Sequence, residues 1–141
     1  MVSHTIVVQA RWRDADPAGI VFYPRFYEWY DLAAEALFEA IGLPWPELFP
    51  KHGIVGVPIL ESGSRFTAPV HWGDRVSVRA MVAWVKDKTF RMEYEVSAGG
   101  TLCARGFEVR AWVRRPESPG ERLAARPIPE EVARRLRESA G

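Results

Sequence analysis

One stretch of the chain has the hydrophobic spacing of a helix. Between Pro24 and Ile41, apolar side chains recur every three or four residues, which places them on one side of a helix. Pro24 suits the first helical turn because its missing N–H would have no partner there. Gly42 and Pro44 predict where the helix ends. The apolar stripe contains many aromatic residues, which predicts a helix surrounded by a sheet. Its members are Phe26, Tyr30, Ala33, Ala34, Leu37, Phe38 and Ile41.

Most of the remaining chain has the features of strands. Residues Thr5 to Arg13 are rich in β-branched side chains and predict a first strand, and a further strand is predicted from Val57 to Ala68. Apolar and polar residues alternate over positions 76–84 and 90–96, as in half-buried antiparallel strands. Gly99-Gly100 predicts a hairpin turn into a last strand over Thr101–Arg115. The alternation changes face near Gly106, which predicts a bulge there.

Two short helices complete the predicted elements. Trp45 to His52 predicts one helix, ended by Gly53, and Pro129 to Arg137 predicts a closing helix. The closing helix has its acids first and its arginines last, which matches the helix dipole. One strand, one long helix and then several antiparallel strands is the order of an α+β protein. The chain has 141 residues and shows no repeat or linker, so we expect a single domain over residues 1–141.

Composition excludes several classes of function. A net charge of +1 gives no electrostatic field that would favour nucleic-acid binding, so an anionic ligand must be bound by local clusters of basic residues. No apolar run approaches the length of a membrane span, and the N-terminus lacks a signal peptide, so we expect a cytoplasmic protein with no membrane partner. The single cysteine, Cys103, excludes an intramolecular disulfide or a cysteine-based zinc cluster. Its place in a predicted strand favours an inert buried thiol, and we expect no metal site.

The candidate chemistry lies just before the long helix. Asp14 and Asp16 belong to a turn-like segment, followed by Gly19, where the backbone can come close to a ligand. The first N–H groups of a helix have no partner in their own helix and can hold a developing oxyanion. A carboxylate beside such donors suits attack on a polarised carbonyl. Aspartates also commonly cap turns, so the local chemistry leaves both roles open.

The same segment carries a family resemblance. Residues 14–24, Asp-Ala-Asp-Pro-Ala-Gly-Ile-Val-Phe-Tyr-Pro, resemble the signature of the 4-hydroxybenzoyl-CoA thioesterase family, a branch of the hotdog superfamily. The likeness spans roughly residues 5 to 115. It continues in the same order through Asp31-Leu-Ala-Ala, Gly42-Leu-Pro, Gly53-Ile-Val-Gly-Val-Pro-Ile and Lys88-Thr-Phe.

The resemblance implies a fold and a reaction. The fold would be a hotdog, an antiparallel sheet of five or six strands wrapped around the long helix. The reaction would be hydrolysis of an aryl-CoA thioester such as 4-hydroxybenzoyl-CoA, with Asp16 as nucleophile or general base. The backbone N–H of Tyr23 would hydrogen-bond the thioester oxygen. The resemblance also implies a homodimer or homotetramer with active sites between subunits.

The resemblance further implies how CoA would be held. Lys86 and Lys88 would contact the nucleotide phosphates, although such a pair also fits a solvated turn, and Gly19 would let the thioester approach the backbone. CoA is part of the substrate, so no separate cofactor is expected. Family members place an acid at the position of Asp31, which predicts a buried acid tied to the Asp16 loop.

Three other functions remain as alternatives. A thioesterase for short or medium aliphatic acyl-CoA would share the catalytic residues. A hotdog hydratase would use an Asp and His pair, but His4, His52 and His71 lie in unmatched contexts and are predicted to be surface or loop residues. A non-catalytic acyl-thioester-binding protein would need no acid at position 16. The sequence Tyr23-Pro24 without a nearby histidine favours the aryl-CoA branch over the branch associated with the Tol-Pal system.

Overall fold

The computed structural model describes residues 2–138, which form three α-helices and eight strands. The helices are α1 (Pro24–Ala40), α2 (Trp45–His52) and α3 (Glu130–Arg137). The strands are β1 (Ser3–Gln9), β2 (Ile54–Gly56), β3 (Ile59–Phe66), β4 (Arg75–Val85), β5 (Thr89–Ala98), β6 (Thr101–Ala111), β7 (Val113–Arg114) and β8 (Ala124–Ala125). No helix in this part of the chain is both long and apolar enough to cross a membrane.

The main sheet wraps around the long helix. Its five antiparallel strands lie in the order β1-β4-β5-β6-β3, and β2, β7 and β8 form a separate small sheet. Every second side chain is buried from Val76 to Val82 in β4 and from Phe90 to Val96 in β5, as the alternating sequence predicts. The alternation ends before Trp84, because the register between β4 and β5 shifts there. The apolar side of α1 packs on this face, with Tyr30, Leu37 and Phe38 fully buried. This arrangement confirms the α+β class and the hotdog fold that the resemblance implied.

A close contact between helix and sheet determines the residue at position 106. The Tyr30 ring lies so near Gly106 that an added Cβ would stand 2.4 Å from its Cζ, while Tyr30 also stacks on Tyr94, with ring centroids 4.5 Å apart. The bulge predicted near Gly106 is therefore wrong, because this glycine is in regular register opposite Tyr94 and Ser64. The register shift lies instead three residues earlier on the same strand, where Cys103 is the extra residue between Leu102, which pairs with Ser97, and Ala104, which pairs with Val96.

The first strand ends earlier than predicted. β1 stops at Gln9, and residues Trp12–Asp14 form one turn of 3-10 helix. The buried Asp14 carboxylate accepts a hydrogen bond from the Arg11 N–H at 2.8 Å. A β-branched sequence predicts the strand, but this local side-chain bond bends the backbone out of the sheet before Arg13.

The other predicted boundaries differ by a few residues. The helix over Trp45–His52 is confirmed, and Gly53 ends it in the left-handed conformation at φ 62°. The strand predicted over 57–68 is shorter, and β2 precedes it as a separate strand. The predicted last strand is divided into β6 and β7 by Trp112, which is buried.

Candidate active site

The Asp16 loop is a small hairpin between β1 and α1. Ala15 pairs with Val21 across the hairpin, and the Asp16 N–H donates to the Ile20 carbonyl at 2.8 Å. The turn closes with a hydrogen bond of 2.9 Å from the Gly19 N–H to the Asp16 carbonyl. Gly19 has a φ of +83°, a backbone conformation that residues other than glycine rarely adopt.

Asp16 keeps one carboxylate oxygen available for a ligand. Its Oδ1 accepts a hydrogen bond from the Ala18 N–H at 2.8 Å, which orients the side chain within its own turn. Among residues 2–138, no group donates a hydrogen bond to its Oδ2. The side chain is half-buried, so this oxygen can act on a group that approaches the loop.

Asp14 has a different place in the loop. It is 4% exposed, and its carboxylate lies 3.7 Å from the Arg25 Nε and 3.8 Å from the Arg13 Nε. Its carbonyl accepts a hydrogen bond of 2.7 Å from the Phe22 N–H. Asp14 therefore anchors the loop to the start of α1, and its oxygens are occupied by the protein itself.

The start of α1 leaves one backbone donor unused. The N–H groups of Phe22, Arg25 and Phe26 all donate to carbonyls of the chain, and Pro24 has no N–H. Tyr23 is the N-cap of the helix, and in the described part of the chain its N–H makes no backbone hydrogen bond. A donor at this position carries the partial positive charge of the helix terminus and is suited to an oxyanion.

An apolar cavity opens beside this donor. Its volume is about 360 Å³, and Phe26 and Phe66 meet in it edge to face, with ring centroids 5.0 Å apart. Ile20 connects the cavity to Asp16 through the backbone hydrogen bond of the hairpin. The cavity is lined by Ile20, Val21, Tyr23, Phe26, Phe66, Thr67, Ala68, Pro69 and Val70. A largely apolar pocket with a few convergent polar groups is typical of a small-molecule site.

Lys86 and Lys88 lie at the opposite end of β4 from the loop. The loop is next to the start of β4, because the Gly19 carbonyl accepts the Trp72 N–H at 3.2 Å and Ala10 accepts a hydrogen bond from Gly73. The lysines follow the other end of β4, which lies about 33 Å from its start at the usual rise per residue of a strand. Both are exposed, and the Lys86 Nζ lies 4.4 Å from the centroid of the Trp84 ring. One chain therefore brings Asp16, Gly19 and Tyr23 together but does not bring the lysines to them.

Asp31 is not the buried acid that the resemblance predicted. Its side chain is 59% exposed and lies 2.9 Å from Arg110, not on the loop. Arg110 and Glu108, both buried, form an ion pair at 2.9 Å, and Tyr94 donates a hydrogen bond to the same carboxylate. Burial by itself lowers the pKa of Arg110, but the neighbouring Glu108, Tyr94 and Asp31 raise it by a larger amount. The net effect raises the pKa, so the guanidinium stays charged.

This buried cluster was not predicted from the sequence, although the alternation along β6 contains a signal for it. Glu108 and Arg110 occupy alternate positions of β6 in phase with Gly106, and all three are buried. Arg110 also donates to the Val57 carbonyl at 3.1 Å. The cluster therefore joins α1, β6 and the segment that leads into β3.

His71 lies closer to the loop than its sequence context indicated. Its backbone forms a bridge with Ile20, yet it does not line the cavity. Its N–H donates to the Asp74 carboxylate at 2.9 Å, and its Nδ1 lies 3.8 Å from the same oxygen. The imidazole is directed at Asp74, so Asp16 and His71 do not face a shared ligand position in the way a hydratase pair would.

Fold and site together define a hotdog protein with an acid, a free helix-terminal N–H and an apolar pocket at one place. The chain belongs to the Thioesterase-like superfamily, whose family model matches residues 10–136. It is 32% identical over 136 residues to 4-hydroxybenzoyl-CoA thioesterase of Pseudomonas sp. (strain CBS-3), covering 91% of this chain and 94% of the relative. It is 29% identical over 132 residues to 1,4-dihydroxy-2-naphthoyl-CoA hydrolase of Synechococcus sp. (strain RCC307), covering 92% and 97%.

Solved structures show the same similarity. The Pseudomonas 4-hydroxybenzoyl-CoA thioesterase superposes with a TM-score of 0.87 at 30% identity, over 96% of this chain and 99% of that one. A gentisyl-coenzyme A thioesterase superposes with a TM-score of 0.82 at 34% identity, over 94% and 99%. A 4-hydroxybenzoyl CoA thioesterase with an aspartate-to-asparagine mutation, in complex with 4-hydroxybenzoyl CoA, also superposes with a TM-score of 0.87 at 30% identity, over 96% of this chain and 99% of that one.

Proposed function

We propose that the protein hydrolyses an aryl-CoA thioester to the free aryl acid and CoA. The observation that carries this proposal is the convergence of three features at one place. These are a carboxylate with a free oxygen (Asp16), an unpaired helix-terminal N–H (Tyr23) and an apolar cavity with two aromatic walls. The names of the similar proteins support it, since they act on 4-hydroxybenzoyl-CoA, gentisyl-CoA and 1,4-dihydroxy-2-naphthoyl-CoA.

The proposed reaction follows from the positions of these groups. The aryl group enters the cavity, and the thioester oxygen accepts a hydrogen bond from the Tyr23 N–H. Negative charge builds up on that oxygen during attack, and one such donor contributes about 3 kcal/mol in known cases. Asp16 either attacks the carbonyl carbon itself or takes a proton from the attacking water. The C–S bond then breaks and CoA leaves as the thiolate. If Asp16 was the nucleophile, water next hydrolyses the anhydride between Asp16 and the acyl group; if Asp16 was the base, water has already added to the carbonyl carbon. In both cases water supplies one oxygen of the acid and the proton that the thiolate gains.

The walls of the cavity favour an aromatic acyl group over an aliphatic one. Phe26 and Phe66 offer ring edges and faces to a planar ligand, and aromatic pairs gain about 0.5–1.5 kcal/mol beyond the area they bury. An aliphatic chain would fill the same cavity without this gain. No separate cofactor takes part in the proposed reaction, because water and the substrate supply every atom. The cytoplasmic location stays a prediction.

The position of Lys86 and Lys88 supports a homo-oligomer. A CoA bound at the Asp16 loop of one chain lies far along β4 from that chain's own lysines. If these lysines hold the nucleotide phosphates, they do so from another subunit. A homodimer is the smallest assembly that satisfies this condition, and a homotetramer also satisfies it.

A substrate panel tests the proposed function directly. Release of CoA thiol would be measured with benzoyl-, 4-hydroxybenzoyl-, gentisyl- and dihydroxynaphthoyl-CoA, and with butyryl-, hexanoyl- and decanoyl-CoA. We expect kcat/KM for the best aryl ester to exceed that for every alkyl ester by at least about tenfold, or 1.4 kcal/mol. Higher values for an alkyl ester would favour the aliphatic alternative. Tight binding without turnover would favour the non-catalytic alternative.

A further inference from the structure

The outer face of the main sheet, away from α1, carries a groove lined by arginines. On the inner face of β3, the Ser64 hydroxyl lies 2.9 Å from the Tyr30 hydroxyl, and the Phe66 ring meets Phe26. Because successive side chains of a strand point to opposite faces, Arg65 is on the outer face. The outer groove has a volume of about 420 Å³. Its walls include Gly63, Arg65, Arg91, Glu93, Arg105 and Phe107, from β3, β5 and β6.

Two arginines lie side by side in the outer groove. Arg65 of β3 is directly opposite Arg105 of β6 in the strand register, and residues opposite each other in an antiparallel pair lie about 4.5–5.5 Å apart. Both residues are exposed. Like charges at such positions are unfavourable, so this part of the sheet would be more stable with a negative charge between the two guanidinium groups.

The chain itself does not supply that negative charge. Glu95 is opposite Arg105 in the register of β5 and β6, but its carboxylate lies 3.5 Å from Arg79 on the other side. Within residues 2–138, no carboxylate oxygen lies within 4.0 Å of a guanidinium nitrogen of Arg65 or Arg105. The two guanidinium groups are therefore available to an anion from solution.

A third arginine is held beside this pair by packing. An added Cβ at Gly63 would stand 2.8 Å from the Phe107 Cε1, so the ring takes the space that a side chain at position 63 would fill. The Arg91 guanidinium lies over this ring, 4.1 Å from its centroid, and its Nε lies 3.4 Å from the Glu93 carboxylate. The cation–π contact and the ion pair both restrict the side chain. The Arg91 guanidinium is therefore oriented before a ligand binds.

We propose that the outer groove binds a phosphate group, as inorganic phosphate or as a phosphate monoester. Three guanidinium groups and the single carboxylate of Glu93 leave the groove with two positive charges in excess. A phosphate monoester carries about −1.5 to −2 charges at pH 7, which matches this excess. Guanidinium groups bind phosphate oxygens through paired hydrogen bonds. The phosphate lies between Arg65 and Arg105 and accepts further hydrogen bonds from Arg91, whereas a carboxylate has too few oxygens and too little charge for all three.

The outer groove is separate from the candidate active site. Phe66 lines the apolar cavity, and Arg65 precedes it in β3 with its side chain on the opposite face of the sheet. A substrate whose acyl group occupies the cavity would have to pass round the edge of β3 to reach the groove. CoA also carries a phosphate monoester, so the chemistry alone allows the substrate's own phosphate as a ligand. The geometry assigns the groove to a second molecule.

A bound phosphate would connect two strands near the cavity. Hydrogen bonds from Arg65 and Arg105 to the same phosphate join β3 to β6 by their side chains, in addition to the backbone bonds between the strands. A ligand that binds only the folded protein also stabilises it by mass action. Phosphate should therefore raise the midpoint of thermal unfolding of the wild type, and this rise should disappear when both arginines are replaced.

Titration calorimetry with inorganic phosphate tests the site. The ionic strength is held constant with chloride, so that a response to phosphate is not a general effect of salt. We expect the dissociation constant to rise at least about tenfold in Arg65→Gln and in Arg105→Gln, because each loses charged hydrogen bonds to the ligand. Arg75→Gln is the matched control, since Arg75 is also exposed and on the outer face but outside the groove. It should bind phosphate as the wild type does.

Two further variants make the result specific. Arg65→Lys keeps the charge but loses the paired hydrogen bonds, so its affinity should lie between those of the wild type and Arg65→Gln. Replacing Lys86 and Lys88 with alanine removes the other proposed phosphate contacts of the chain and should leave binding at the outer groove intact. A wild type that binds no phosphate would overturn the proposal, and so would folded glutamine variants, checked by circular dichroism, that bind it as tightly as the wild type.

Kinetics distinguish a second molecule from the substrate's own phosphate. If the groove takes a second molecule, Arg65→Gln and Arg105→Gln should leave KM for CoA esters unchanged. A rise in KM for CoA esters that is absent for a thioester without the nucleotide would show that the groove holds the phosphate of CoA, and the assignment to a second ligand would be withdrawn. The titration requires no turnover, so its result does not depend on the proposed function.

Discussion

Replacing Asp16 with asparagine separates its proposed chemical role from its structural one. The amide oxygen of asparagine can keep the bond that the Asp16 Oδ1 now accepts from the Ala18 N–H at 2.8 Å. The hairpin bonds to Ile20 and Gly19 use only backbone atoms. The free energy of unfolding should therefore change by less than about 1 kcal/mol, the value of one neutral hydrogen bond.

Turnover should respond very differently. An amide can act neither as a base nor as an anionic nucleophile, and positioned proton transfer contributes about 10²–10⁴ in rate. We expect kcat on the best CoA ester to fall at least about a hundredfold, which corresponds to about 2.7 kcal/mol of barrier. The assay is release of CoA thiol with a chromogenic disulfide, and thermal unfolding of the same samples measures stability.

Asp14→Asn is the matched control, because it lies in the same loop but in a different environment. Asp14 is buried, and its carboxylate accepts the Arg11 N–H and lies near two arginines. Hydrogen bonds to charged groups contribute about 1.5–3 kcal/mol, so this variant should lose stability by up to that amount. Its kcat, measured where it remains folded, should fall much less than that of Asp16→Asn. An Asp16→Asn enzyme that turns over at nearly the wild-type rate would refute the assignment of Asp16.

Three further predictions concern the other residues of the site and the buried thiol. Tyr23→Phe should change kcat by no more than a few-fold, because the proposed donor is a backbone N–H, whereas Gly19→Val should be severe because φ is +83° there. An inactive Tyr23→Phe with a tolerated Gly19→Val would move catalysis to the phenol. Changing Lys86 and Lys88 together to alanine should raise KM for CoA esters far more than for a thioester that lacks the nucleotide; equal effects would indicate a solvated turn. Burial raises the pKa of Cys103, so the thiol stays protonated at neutral pH, and iodoacetamide should label it only after unfolding; rapid labelling of the native protein would contradict this.

The local sequence was sufficient to predict most of the secondary structure. The three-four spacing of apolar residues from Phe26 to Phe38 determined α1 and its buried side, since this period matches the helix itself. The strict alternation in β4 and β5 determined which residues face the core for the same reason. The Asp16 segment was a candidate because a tight turn, a glycine and a helix start are adjacent in the chain, but its catalytic role was predicted from the family resemblance. The departures, such as the early end of β1, come from a side-chain bond that no periodicity reveals.

The tertiary structure alone decided how distant residues meet. It placed Phe66 beside Phe26 to form the cavity, and it buried Glu108 and Arg110 as partners of Tyr94 and Asp31. It also put Lys86 and Lys88 at the far end of β4 and left β3 as an open edge. A sequence pattern reports the period of one element, whereas these relations depend on strand order and register. Those are set by packing between elements that lie far apart in the chain.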